Sequence, residues 1–185
     1  MSLDKLSSIF FPSECNVDKE LFYPVSKESS SMDCMVGYFT SGSLRELART
    51  IAAYLSSSLT APMRLIVSPS FSDADLQAIK DGMEMDENLI PLIFPDFNLD
   101  EDTLRSKSIT ALLVLIAKKK IELRVALKSS GILHTKCWLF KTPEGKVAIH
   151  GSGNATKGGL SNNFEQLILS RDWLDNSSDQ IVTNL

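Results

Sequence analysis

Apolar and polar positions alternate in two different ways along this chain, and the change between them divides it near residue 130. In the first part, short apolar runs are followed by stretches of helical period. Asp33–Thr40 reads as a buried strand, after which Ser41-Gly42-Ser43 offers a cap to an amphipathic run, Leu44 to Leu55, with apolar residues at Leu44, Leu47, Ala48, Ile51 and Leu55. Met63–Ser68 is a second strand, and Ser72-Asp73-Ala74-Asp75 caps a second helix carrying Leu76 and Ile79. Residues 81–102 are acidic, contain Pro91 and Pro95, and read as a surface connection with little regular structure. Leu104 to Ala117 has the length and period of a third helix, and Ile121–Leu127 alternates as a strand. Beyond this the pattern becomes strand, turn, strand. His134–Phe140 and Lys146–His150 flank Thr142-Pro143-Glu144-Gly145, which predicts an antiparallel hairpin. A Gly/Ser/Asn-rich segment, Gly151–Asn163, and a last strand, Phe164–Ser170, follow.

Strands interleaved with helices and then a hairpin predict one α/β domain, a mixed β-sheet flanked by helices, over residues 1–185. No internal repeat is visible. Residues 1–30 carry no clear period and are expected to be a loosely ordered N-terminal segment, and residues 175–185 a polar tail. That ending is expected of a small protein or of a domain excised from a longer one.

Composition narrows the class. A chain of 185 residues with 43% apolar residues can bury a core without disulfides or a structural metal. No apolar run approaches the roughly 18 residues of a membrane span, and the short apolar stretch near Ile9–Phe11 lacks the flanks of a signal peptide. A cytoplasmic location without membrane attachment follows by default. Cys15, Cys34 and Cys137 are widely spaced with no C-x-x-C pair, and read as reduced thiols rather than a disulfide frame or a zinc site.

The formal net charge of −4 conceals an uneven distribution: residues 1–104 carry −10, residues 105–157 carry +9 and residues 158–185 carry −3. A strongly basic block hints at a polyanionic partner, although Lys118, Lys119 and Lys120 end a helical stretch where cations complement the helix dipole whatever is bound.

Both histidines fall in the hairpin. On a regular strand His134 and Lys136 project from one face with Cα atoms roughly 6.6 Å apart, while Thr135 points the other way. An imidazole beside a fixed ammonium can attack a phosphodiester. Downstream, Gly151-Ser152-Gly153-Asn154 opens a loop whose glycines let backbone N–H groups approach an anion, with Ser152 and Asn154 as neutral donors. The loop is not a nucleotide-binding P-loop, because Thr156 and Gly158 stand where that motif needs Gly and Ser or Thr.

These residues resemble the motif of the phospholipase D superfamily, H-x-K followed by G-S-x-N. It stands here as His134-Thr135-Lys136 and Gly151-Ser152-Gly153-Asn154, continuing through Thr156, Gly159, Leu160, Asn163 and Glu165. The stretches VGYFTSGSLREL (36–47) and LIVSPSFSDADL (65–76) are similar to the N-terminal half of such domains in metal-independent restriction endonucleases and helicase-associated nucleases. One position departs from the motif: Lys141 replaces the Asp five residues after the Lys, a loss also found among the restriction nucleases of the superfamily.

The resemblance implies a phospholipase D-like domain with a single motif, in which His134 is the nucleophile and forms a covalent phosphohistidine. Lys136 and Asn154 would neutralise and position the phosphoryl oxygens, with Ser152 and Gly153 of the loop assisting. Glu165 would accept a hydrogen bond from the second nitrogen of a histidine. No cofactor or metal is implied. His150, which lacks a second H-x-K, reads as structural, so the general acid would be His134 of a second copy, and a homodimer follows. Trp138 and Phe140 share the parity of His134 and Lys136 and read as core. The function implied is a metal-independent DNA endonuclease of restriction or defence type, with any DNA-recognition or helicase domain outside this chain. The alternatives are a non-catalytic nucleic-acid-binding module of the same fold and a hydrolase of phospholipids or other small phosphodiesters.

Overall fold

The computed structural model describes residues 2–56, 61–93, 98–127 and 130–185. Its centre is a seven-stranded mixed sheet of order β1-β7-β6-β5-β2-β3-β4. The strands are β1 (Ile9–Phe10), β2 (Ser31–Val36), β3 (Met63–Val67), β4 (Ile121–Val125), β5 (Lys136–Lys141), β6 (Lys146–Gly151) and β7 (Leu167–Arg171). β2, β3 and β4 are mutually parallel, and the strands from β5 to β1 pair antiparallel, with β5 lying directly beside β2. From β2 onward the two periods of the sequence are the two halves of one sheet, joined where β5 pairs with β2, while β1 crosses from the N-terminus to the far antiparallel edge.

The register explains which residues are core. Leu169, Ile149, Trp138, Cys34, Leu65 and Leu123 form one row across six strands. This face packs under α1 (Tyr23–Ser26), α2 (Gly42–Glu46), α3 (Ala48–Ser56), α4 (Asp73–Glu84), α6 (Glu101–Ser106) and α7 (Ser108–Ala117). The opposite row reads Ile168, His150, Cys137, Met35, Ile66 and Arg124. Among the described residues, α8 (Asn176–Asn184), packed against β6 and β7, covers part of it. Trp138 and Phe140 are core, as their apolar neighbours require.

Four sequence expectations change. The N-terminal segment is not loose: Leu21, Phe22 and Val25 are fully buried, and Phe22 packs edge-on against Trp138 at 5.2 Å between ring centroids. The buried Asp18 fixes it further, accepting the backbone N–H groups of Arg49 (3.2 Å) and Thr50 (3.0 Å) and the Thr50 hydroxyl (2.6 Å) at the start of α3. Such a contact, across 31 or 32 residues, has no local signature in the sequence.

The C-terminal residues are not a structureless tail. Asp175 caps α8 by accepting Ser178 N–H at 2.8 Å, and Val182 is buried. Residues 81–102 are more regular than expected: α4 runs to Glu84, and a short α5 (Ile90–Ile93) and the start of α6 lie within them, although residues 94–97 fall outside the described residues. The third helix breaks at Lys107, whose φ of −128° and ψ of 44° leave the helical region, so α6 and α7 are separate.

Cys34 and Cys137 are buried free thiols, and Cys15 is half-buried and free. Burial pushes the Cys137 thiol up to about 12 and the Cys34 thiol well above its ordinary value.

Candidate functional site

The candidate residues gather where β2 ends and β5 begins. β2 stops at Val36, and Gly37 follows it as a point of close approach. A Cβ there would lie 2.7 Å from the carbonyl oxygen of Leu133, and 3.5 Å from both His134 Cα and Asn154 Oδ1. Only a residue without a side chain lets the segment before β5 and the loop after β6 converge at this point. One position in β2's exit thus places His134 and Asn154 within about 7 Å of each other by the sum of those two approaches.

His134 does not stand on a regular strand. β5 begins at Lys136, and His134 precedes it in an irregular, exposed segment. The expected alternation is replaced by a direct bond: Lys136 Nζ donates to the backbone carbonyl of His134 at 2.7 Å. Lys136 is buried, which pulls its ammonium below the ordinary lysine value, and the Glu165 carboxylate opposes that shift. An ammonium under these conditions is a fixed charge with two further N–H donors, neither of which has a protein partner among the described residues.

Asn154 is oriented from the other side. Its Oδ1 accepts the backbone N–H of Tyr38 at 3.1 Å, which leaves the amide's N–H groups, unpartnered among the described residues, as donors. The loop carrying it is held by Thr40 N–H to Ala155 O (3.1 Å) and by Thr156 Oγ1, which accepts Gly159 N–H (3.1 Å). Gly159 lies against Asn154 so closely that a Cβ would sit 2.5 Å from the Asn154 nitrogen. Gly153 is buried against Gly159 in the same way, a packing role that the anion-cradle reading did not foresee.

Ser152 and Glu165 bond to each other in the single chain. Ser152 Oγ donates to Glu165 Oε2 and accepts Gln166 N–H at 3.1 Å, while Glu165 Oε1 accepts Asn163 Nδ2 at 3.3 Å. Glu165 therefore braces the loop and acts on Lys136 through its charge; the His134 imidazole has no hydrogen bond to it in the single chain.

His150 faces the α8 side of the sheet, in the row of Cys137. Its Nε2 pairs with Ser170 Oγ at 3.0 Å, and burial holds it below the ordinary histidine value. Lys141 pairs with Lys146 at the far end of the β5–β6 hairpin, so the basic block is spread over both ends of the sheet rather than gathered at the site. Among the described residues no group of three or more His, Cys, Asp or Glu could hold a metal ion. The segment missed by sequence reasoning is Gly37-Tyr38, which was expected to lie inside a strand running from Asp33 to Thr40, whereas β2 ends at Val36.

Fold and site together define an α/β domain that presents an imidazole, an ammonium and an oriented amide at one end of its central sheet. A family model described as "Cardiolipin synthase, PLD-like domain" matches residues 60–184, a span that contains both halves of the motif. The chain belongs to the phospholipase D-like family.

Among solved structures it is similar to NucT from Helicobacter pylori, with 16% identity and a TM-score of 0.51 over 96% of this chain and 89% of that one. It is also similar to polyphosphate kinase from Porphyromonas gingivalis, with 12% identity and a TM-score of 0.50 over 100% of this chain but only 22% of the kinase. A weaker likeness is to yeast tyrosyl-DNA phosphodiesterase, with 10% identity and a TM-score of 0.44 over 85% of this chain and 35% of that one. No curated protein sequence matches the chain. No helix of the described residues is long and apolar enough to cross a membrane.

Proposed function

We propose that this protein is a phosphodiesterase that cleaves DNA without a metal ion, through a phosphohistidine formed on His134. The observation that carries the reading is the convergence at Gly37, which brings His134 and Asn154 together beside the buried Lys136 ammonium. In-line attack by an imidazole nitrogen on phosphorus forms the N–P bond as the ester P–O bond breaks. Lys136 and the Asn154 amide offset the charge that builds on the phosphoryl oxygens. The leaving alkoxide takes a proton from a second imidazole; water then attacks the phosphohistidine and releases a phosphomonoester.

The second imidazole supports a homodimer. The chain has two histidines, and His150 faces the other side of the sheet in a hydrogen bond to Ser170. His134 of a second copy, brought across a twofold axis, supplies the missing acid. Restriction-type DNA cleavage, with recognition by a domain outside this chain, is the biological setting proposed.

The test is cleavage of plasmid and oligonucleotide DNA by wild type and His134→Ala, with and without EDTA. Cleavage that survives EDTA and vanishes in the variant is the expected result; strict Mg²⁺ dependence overturns the mechanism.

A second reading, hydrolysis of a phospholipid, draws on the lipid-enzyme name of the matching family model and on two exposed apolar residues beside the motif, Ile132 (59% exposed) and Phe164 (95%). The same pair of proteins assayed on anionic phospholipid vesicles separates the two readings.

A further inference from the structure

The two edges of the sheet are finished differently. β1 is two residues long and offers almost no free backbone, a common protection of a sheet edge. β4 is a full strand of five residues with β3 on one side only. Met63 N–H donates to Lys120 O and Ala126 N–H to Val67 O, so the even-numbered residues of this segment turn their backbone groups toward β3. Ile121, Leu123 and Val125 therefore turn theirs outward, where no partner exists among the described residues.

The sequence of that edge is symmetric about its centre. Ile121-Glu122-Leu123-Arg124-Val125 has β-branched residues at its ends and opposite charges flanking Leu123. Glu122 and Arg124 are exposed on the open face of the sheet, and Leu123 is half-buried. Beside the strand on the helical face lies a groove of about 390 Å³ lined by Gly82, Met83, Met85 and Ile116, in which Met83 is 60% exposed.

We propose that β4 is a self-association edge, on which a second copy of this chain adds its own β4 antiparallel, centred on Leu123. In that register Leu123 faces Leu123 and Ile121 faces Val125, as hydrogen-bonded pairs that satisfy every outward N–H and C=O of the strand. Glu122 then faces Arg124 twice, at non-hydrogen-bonded positions where facing Cα atoms are only about 4.5 Å apart.

The alternatives are disfavoured by charge. Moving the centre to Glu122 sets Glu122 against Glu122 and Arg124 against Lys120, and moving it to Arg124 sets Arg124 against itself. A one-residue slip turns the unpaired backbone groups away from one another. The charges that guard a lone edge thus admit one partner in one register. The helical layers of the two copies meet over the seam and close the groove beside Met83.

This interface is separate from the one that brings two His134 together. β4 lies three strands from β5, so pairing there does not approach the candidate site. The proposal does not rest on the chemistry of that site.

Sedimentation velocity over a range of concentrations, on wild type, Arg124→Glu, Glu122→Arg and the double exchange, tests it. Each single change turns two attractive pairs into two repulsive ones and should weaken self-association by roughly tenfold; the double exchange should restore it. Circular dichroism confirms that each variant is folded.

The active-site dimer sets the baseline independently. If it forms, two different twofold interfaces on each chain build wild type into assemblies of four or more chains, while the single variants stay mainly dimeric; if it does not, wild type is in monomer–dimer exchange and the single variants dimerise about tenfold more weakly. A larger mass for wild type than for the single variants at equal concentration supports the edge in either case. Four proteins that sediment alike, or a folded double exchange that fails to regain association, overturn it.

Discussion

Asn154 Oδ1 accepts the backbone N–H of Tyr38 across 116 residues of sequence, and this bond fixes which way the Asn154 amide is turned. With the oxygen committed to the end of β2, the amide meets a ligand only as a donor. In the proposed mechanism, the amide's role as a donor to the phosphoryl group is thus set by a backbone group far away in the chain.

Replacing Asn154 with Ala should therefore cost little stability and much activity. Losing the hydrogen bond removes about 1 kcal/mol, whereas losing a donor to the transition-state oxygens should lower kcat about 100-fold or more. Asn154→Asp keeps the acceptor for Tyr38 but replaces the donors with negative charge, and should be at least as inactive with a near-normal melting temperature. Steady-state phosphodiester hydrolysis alongside thermal melting checks both.

Glu165 holds up the proton affinity of Lys136 against burial. In Glu165→Gln that support is gone, and Lys136 loses its proton at a lower pH than in wild type. The alkaline limb of the pH–rate profile should move toward neutrality. An alkaline limb unchanged by the substitution would show that the Lys136 charge does not govern the rate.

The N-terminal residues should behave as core. Truncating Phe22 to Ala removes the ring packed on Trp138 and Phe140 and should cost roughly 3–5 kcal/mol in urea unfolding. An unfolding curve indistinguishable from wild type would return this segment to the loose arm that its sequence suggests.

His150 makes stability depend on pH. Burial lowers its folded-state value below the ordinary 6.5, so the unfolded chain takes up a proton first as pH falls. Its contribution is intact above the unfolded value and is lost as pH falls through the folded one. The melting temperature should decline over this acidic range, and His150→Gln should flatten that decline while leaving catalysis in place.

The order of strands and helices was legible because each strand from β2 to β7 is short, apolar and bounded by turn residues. The core rows follow from alternation alone, as Cys34, Leu65 and Trp138 show. What stayed hidden depends on contacts distant in sequence. Asp18 caps a helix that begins thirty residues later, and Leu21 and Phe22 are buried in a segment too short to declare a period. At the site, His134, Lys136 and Asn154 could be named from their spacing. Their geometry could not, because the glycine that lets them converge lies about a hundred residues earlier, just past the end of β2. Parity also misled: the His134–Lys136 relationship rests on a lysine reaching back to a carbonyl, not on two side chains of one strand.

The place of β2 in the sheet has a consequence for how the chain is made. One of its neighbours, β3, follows within a single helical crossover, but the other is supplied only by β5, and Ser30 bonds to Lys141 across 111 residues. A ribosome that has released the first 130 residues has delivered the parallel half with β2 still an open edge. Folding to completion must wait for the hairpin, a late, non-local step that favours slow folding and gives chaperones a defined species to hold. Because the same strand boundary forms the site, no partly made chain contains it, and activity and the closing of the sheet arrive together.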